Sequence, residues 1–274
     1  MGRHLGAPHV ALVRRPTPAL EFSIGGVPFR VFFPTDYMSD REAVNTLYHS
    51  AAARYAAFQG ADGDPYPIRV LDSDEPTQGV PDFSYEWQEA RLHCRAGEAV
   101  FSGVRNEYAF DSLLRMLFSW ILLDRSGFLL HAATVVRNGR AYVFTGCSGA
   151  GKSTLASLAP EGSVLTDEIS LLRFEEGAWR AYGTPFWGEF RAGDVNSSAP
   201  VAGIFRLLQA PENRVAPLRR GELLRALLPN VLFFSAQPAA NGRLLEILSG
   251  VAEEIPGYDL EFRKDRTVWE VLPA

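Results

Sequence analysis

The stretch Gly146-Cys147-Ser148-Gly149-Ala150-Gly151-Lys152-Ser153-Thr154 fits the phosphate-binding pattern G-x-x-x-x-G-K-[ST] at every fixed position. Glycines in such a loop let the backbone curl so that successive N–H groups point inward at phosphate oxygens. Lys152 adds a positive charge, and the Ser153 hydroxyl can reach a magnesium ion. Gly146, Ser148, Gly149, Ala150, Gly151, Lys152, Ser153 and Thr154 are therefore the candidate nucleotide contacts. The flanks suit the motif. Arg140-Ala141-Tyr142-Val143-Phe144-Thr145 reads as a strand entering the loop, and Ser153-Thr154-Leu155-Ala156-Ser157-Leu158 as a helix leaving it.

Outward from the loop, the chain of 274 residues is 47% hydrophobic and 22% charged, which is the composition of a globular protein rather than a disordered one. A net charge of -5 and a pI near 5.6 argue against a nucleic-acid partner, because phosphate-backbone affinity rests on clustered Lys and Arg. No membrane association is expected. The apolar run Leu113 to Leu123 is interrupted by Arg115 and is shorter than the roughly 20 residues of a spanning helix. Arg14, Arg15, Pro16 and Pro18 break up any secretion-signal core, so a cytoplasmic address is expected. Cys94 and Cys147 form no disulfide framework or zinc spacing and read as reduced thiols. His4, His9, His49 and His93 show no metal spacing either.

Residues 1 to 18 read as a loose arm and Leu20 to Phe33 as a hairpin around Gly25-Gly26. Helical spacing runs from Asp40 to Gln59. Ile68 to Leu71, Phe83 to Cys94 and Glu98 to Val104 read as strands, with turn-rich sequence from Asp72 to Pro81. The region 1–105 is therefore mostly β, a candidate docking region for a substrate or partner. The character changes near residue 106. Asp111 is placed to cap a helix running to about Asp124, with Leu113, Leu114, Leu117, Phe118, Ile121 and Leu122 on its apolar face. Phe128 to Val136, the turn Asn138-Gly139 and Arg140 to Thr145 form a second hairpin. Strands are expected at 163–165, 170–174, 179–182 and 258–262, and helices at 221–228 and 242–254. Tyr182 to Gly188, rich in aromatics and turn formers, either lines the mouth of a site or plugs the sheet from beneath. Arg219, Arg220 and Arg225 either reach phosphates or form a solvated helix face.

Asp167-Glu168 follows Ser153 by only fourteen residues, at the end of the short apolar strand Val164-Leu165. A carboxylate there can hold magnesium or accept a proton from an attacking hydroxyl; as a bland alternative, the pair is a solvated turn. Leu130-His131-Ala132, Val143-Phe144-Thr145-Gly146, the glycine-rich loop and Leu165-Thr166-Asp167-Glu168 together resemble the catalytic domain of HPr kinase/phosphorylase. Glu189-Phe190-Arg191-Ala192-Gly193 is similar to a further signature of that family. The resemblance covers roughly residues 106 to 195. Its style is closest to the HPr-kinase-related proteins of peptide-modification gene sets, such as the kinases of lasso-peptide precursors.

The resemblance implies an α/β fold with a P-loop kinase core of the HPr kinase / phosphoenolpyruvate carboxykinase type over residues 106–274, preceded by the mostly β region. It implies an ATP- and Mg2+-dependent kinase acting on a Ser or Thr hydroxyl of a peptide or small protein. Asp167 would be the base, His131 would tune its charge, and Lys152 would neutralise phosphate. Ser153 with Glu168 or Glu189 would stand on the magnesium side. Arg191 would either neutralise phosphate charge or form a salt bridge. Related kinases often assemble as rings, so a homo-oligomer belongs to the same set of expectations. Two departures limit the carry-over. Cys147 replaces the family's loop Asp, Glu168 replaces its second Asp, and the reverse, phosphate-removing reaction is therefore not carried over. Apart from the resemblance, the residues leave open an ATP-binding switch without transfer and a kinase of small molecules.

Overall fold

The computed structural model describes residues 19–33, 41–60, 62–71, 82–95, 97–188 and 195–273. Its first sheet grows from the hairpin at Gly25-Gly26, where β1 (Ala19–Ile24) and β2 (Val27–Phe32) pair antiparallel. Helix α1 (Arg41–Arg54) leads to β3 (Tyr66–Leu71), which lies parallel to β2. The run from Phe83 to Cys94 is a hairpin rather than one strand. β4 (Phe83–Trp87) turns back into β5 (Ala90–Arg95) through Gln88, whose φ is 55°. Alternation resumes on both sides of the polar Gln88-Glu89 pair, and no glycine marks the turn, so the pattern alone conceals the break. β6 (Glu98–Ser102) completes a six-stranded sheet in the order β1-β2-β3-β6-β5-β4.

Helix α2 (Glu107–Ile121) starts a turn earlier than Asp111 suggests. The cap is Asn106, whose Oδ1 accepts the N–H of Ala109 at 2.9 Å. Asp111 sits inside the helix, 4% exposed, with its charge used for ion pairs described below. Leu113, Leu114, Leu117, Phe118 and Ile121 are buried, as their helical spacing predicts.

The second sheet begins with the hairpin β7 (Gly127–Arg137) and β8 (Arg140–Thr145). Then come α3 (Lys152–Leu158), β9 (Val164–Thr166), β10 (Ile169–Glu175) and β11 (Ala178–Tyr182). β12 (Ser198–Gln209) is an interior strand between β8 and β15, although the sequence patterns assign none there. Pro200, Gly203 and a register shift between Val201 and Gly203 interrupt the alternation that would have marked it. β13 (Arg214–Pro217), α4 (Arg220–Leu227), β14 (Val231–Leu232), α5 (Pro238–Glu254), β15 (Gly257–Phe262) and α6 (Val268–Val271) complete the described chain. The strand order is β11-β10-β7-β8-β12-β15-β13, with β9 and β14 also on β7. β11 pairs with the start of β12 as well, which closes β7, β8, β10, β11 and β12 into a ring.

One buried cluster runs across residue 106. It joins Phe22, Phe29 and Phe101 of the first sheet and Phe118 of α2 to Leu129, Ile169 and Leu171 of the second and to Phe186 in the segment after β11. Arg173 donates from its guanidinium to the Gly25 carbonyl at the same junction. A second cluster packs α4 and α5 on the other face, and a third places Leu155 and Val268 against Phe144, Phe205 and Phe262. Among the described residues, no helix is long and apolar enough to cross a membrane. Arg220 and Glu253 approach only to 4.0 Å with both side chains well exposed, as on a solvated helix face. The arm at 1–18, the turns at 72–81 and the segment 189–194 lie outside the described residues.

Candidate functional site

β12 runs parallel to both β8 and β15, with Arg206 opposite Thr145 and Gln209 opposite Phe262. The carboxyl ends of these three strands therefore share one edge, the place where parallel sheets offer ligands a crevice. A pocket of about 220 Å³ opens there, lined by His131, Ser148, Gly149, Gly151, Lys152, Ser153, Thr154 and Lys264.

The loop's shape follows from its glycines. Gly149 and Gly151 have φ of 80° and 112°, which side-chain-bearing residues rarely adopt. At Gly151 a Cβ would also stand 3.2 Å from the Phe262 ring, so glycine lets that ring close the floor. Gln209 donates its side-chain N–H to the Gly149 carbonyl at 2.6 Å. Lys152, 6% exposed, donates from Nζ to the carbonyls of Gly146 at 2.8 Å and Cys147 at 3.3 Å. One of its three N–H donors remains for a ligand. Burial lowers the Lys152 pKa, while Cys147 and Glu168 oppose that shift. Gly146 and Ala150 are not on the pocket wall; Ala150 is buried beneath the loop.

His131 reaches the wall because β7 pairs with β10, which sets it opposite Ile169. Burial and the Lys152 ammonium hold its pKa below the usual 6.5, so the imidazole is neutral at pH 7. The same pairing brings in the Asp167-Glu168 turn, where the Ala132 N–H donates to the Glu168 carbonyl at 2.9 Å. Neither acidic side chain is on the pocket wall. Asp167 is 3% exposed, and its Oδ1 accepts the Gly188 N–H at 3.0 Å. Glu168 also abuts Gly188, since a Cβ there would stand 2.8 Å from Oε2. Burial raises the Glu168 pKa, opposed by Arg115; Asp167 and Asp111 push it further up, and Arg54 pulls it down.

Those arginines belong to a group that motif reading does not reveal. Arg54 of α1 donates from Nε to Asp111 Oδ1 at 3.0 Å, Arg115 Nη2 lies 2.6 Å from Oδ2, and the Tyr55 hydroxyl donates to Oδ1 at 2.9 Å. Arg54 stacks 4.1 Å above the Trp187 ring, and Arg115 lies 5.2 Å from that of Phe186. Phe186 is fully buried, so it plugs the core and does not stack on a ligand. Its neighbour Trp187 links this group to Gly188 and hence to Asp167. Lys264 and Gln209 also escaped the sequence reading. The only signal for Lys264 is its turn position directly after β15, which means little until β12 sets that strand beside β8. Glu189 and Arg191 lie outside the described residues.

The pocket's side chains fit a polyphosphate. Among the described residues, two ammonium groups, three hydroxyls and a neutral imidazole line it, with no carboxylate. Among the described residues, no group of three or more His, Cys, Asp or Glu is arranged to hold a metal ion by itself. Of the lining residues, Ser153 is the hydroxyl that the loop pattern offers to a magnesium ion.

Residues 111–230, less than half of the chain, match the family model described as SynChlorMet cassette protein ScmC. Among solved structures, the HPr(Ser) kinase/phosphatase from Coxiella burnetii is similar at 17% identity, over 46% of this chain and 89% of that one, with a TM-score of 0.25. No curated protein matches the sequence.

Proposed function

We propose that the chain is an ATP-dependent kinase that phosphorylates a Ser or Thr hydroxyl of a peptide or small protein. One observation carries the reading: the glycine-rich loop forms a pocket of donors and cations, and the β7–β10 pairing sets the Asp167-Glu168 turn beside its His131 wall. The loop N–H groups, Lys152, Ser153 and Thr154 bind the triphosphate. In the transfer, the acceptor oxygen bonds to the γ-phosphorus as the bond to the β–γ bridging oxygen breaks, and the hydroxyl proton passes to Asp167. The Gly188 N–H orients that carboxylate. Neutral His131 serves as a hydrogen-bonding wall residue. Magnesium, when bound with the nucleotide, supplies charge neutralisation of the phosphates.

Purified protein with Mg-ATP and Ser-containing peptides, above all any short peptide encoded beside its gene, should produce a phosphorylated product by mass spectrometry. Asp167→Asn should slow transfer by about 100-fold or more while ATP binding persists. Unchanged transfer in that variant removes Asp167 from the chemistry. A second reading, nucleotide binding without transfer, is favoured by the burial of Asp167 and its hydrogen bond to Gly188. ATP binding without a phosphorylated product across the peptides would support it.

A further inference from the structure

Lys264 enters the pocket from the turn between β15 and α6. Its Cε passes 3.8 Å from the point where a Cβ on Gly151 would stand, so its stem lies over the residue before Lys152. Two features separate it from an ordinary surface lysine. Its φ is 67°, a left-handed conformation disfavoured for any residue with a Cβ. Among the described residues it also has no carboxylate partner, although the adjoining Arg263 is paired with Asp265 at 2.6 Å.

The surrounding turn is held from several sides. Asp265 Oδ1 accepts from the Thr267 N–H at 3.1 Å and from Asn213 Nδ2 at 3.0 Å. Asn213 Nδ2 also donates to Thr267 Oγ1 at 2.8 Å, and Asn213 Oδ1 accepts the Arg263 N–H at 2.8 Å. A clamp of this kind maintains an unfavourable backbone that a lone turn would relax, and such strain collects at ligand sites. Here it delivers an unpaired ammonium to a wall whose other side chains are donors.

We infer that Lys264 is a second phosphate-binding residue, which with Lys152 takes the charge of a nucleoside triphosphate. This rests on the nucleotide-binding reading above. Binding of Mg-ATP and of inorganic tripolyphosphate to the full chain, measured by calorimetry at two salt concentrations, tests it. Lys264→Ala should weaken both ligands by about tenfold or more, with a shallower salt dependence, as expected for a lost charge-assisted contact. Asn213→Ala, which loosens the clamp but keeps the lysine, should weaken both by several-fold. Lys264→Gly should bind as poorly as Lys264→Ala yet melt no lower than wild type, because glycine accepts the left-handed turn.

If wild type binds both ligands, Lys152→Ala loses them and Lys264→Ala stays within twofold of wild type, the inference falls and the nucleotide reading stands. Loss of ATP affinity with tripolyphosphate unaffected would place the lysine on the nucleoside and overturn its assignment to phosphate. If wild type binds neither ligand, both readings fall.

Discussion

Asp111→Ala should be among the most destabilising single changes in this chain, because it removes the carboxylate that ion-pairs with both Arg54 and Arg115. The Arg54 side chain is 8% exposed, that of Arg115 22% and that of Asp111 6%. Taking away one partner of a buried ion pair costs about 3–5 kcal/mol, chiefly because the remaining charge stays desolvated. Arg115 can partly rehydrate, whereas Arg54 is pinned between α2 and the Trp187 ring, so about 4 kcal/mol is expected. With a urea dependence of about 3 kcal/mol per M, the unfolding midpoint should fall by about 1.3 M at unchanged slope. Tyr55→Phe, which removes a single hydrogen bond to the same carboxylate, should cost only about 1 kcal/mol. Replacing the three charged residues, with Asp111→Leu, Arg54→Met and Arg115→Met, should recover much of the loss, since apolar packing substitutes for a buried ion pair with little penalty. Urea titrations followed by far-UV circular dichroism give all three values. A loss below about 1 kcal/mol in Asp111→Ala, or a triple variant no more stable than the single one, would refute the electrostatic account.

Further outcomes concern the site. Gly188→Ala places a Cβ 2.8 Å from Glu168 Oε2, and the displaced segment should weaken the N–H bond to Asp167; peptide phosphorylation should fall about tenfold or more while the melting temperature changes little. Native protein should present one fast-reacting thiol, the exposed Cys147, while buried Cys94, bonded to the Tyr66 hydroxyl, stays slow; peptide mapping after iodoacetamide checks this, and Mg-ATP should protect Cys147. Burial raises the Glu168 pKa above 4.5, so the native state binds that proton more tightly than the unfolded state, and the contribution to stability falls as pH rises through the interval from 4.5 to the folded value. The stability of Glu168→Gln relative to wild type should therefore grow across that interval and level off above it; curves that stay parallel from pH 4 to 7 would exclude the effect. His131 has the opposite sign. Its lowered pKa means that wild type loses stability as pH falls from 6.5 toward the folded value, and His131→Gln should flatten that decline.

Local chemistry made much of this legible beforehand. The hairpin at Gly25-Gly26, the apolar spacing of α2 and the strand–loop–helix order around Lys152 each record a physical requirement within a few residues. The hairpin hidden in 83–94 and the cap at Asn106 differ from the sequence expectation because polar turns without glycine and competing cap residues look alike in sequence. β12 was illegible for a stronger reason: Pro200, Gly203 and the register shift erase its period, and its position between β8 and β15 depends on partners far away in the chain.

The phosphate-loop pattern, the donors it supplies and the nearby Asp167-Glu168 pair were determined by the sequence alone, because backbone curvature and charge at fixed spacing are local properties. Tertiary structure alone decided which groups share the site. Parallel pairing through β12 brings Lys264 over Gly151, and packing across residue 106 brings Arg54 onto Trp187 beside the segment that holds Asp167. Those meetings join residues a hundred or more positions apart, and strand order and side-chain packing, which no short window of sequence contains, create them.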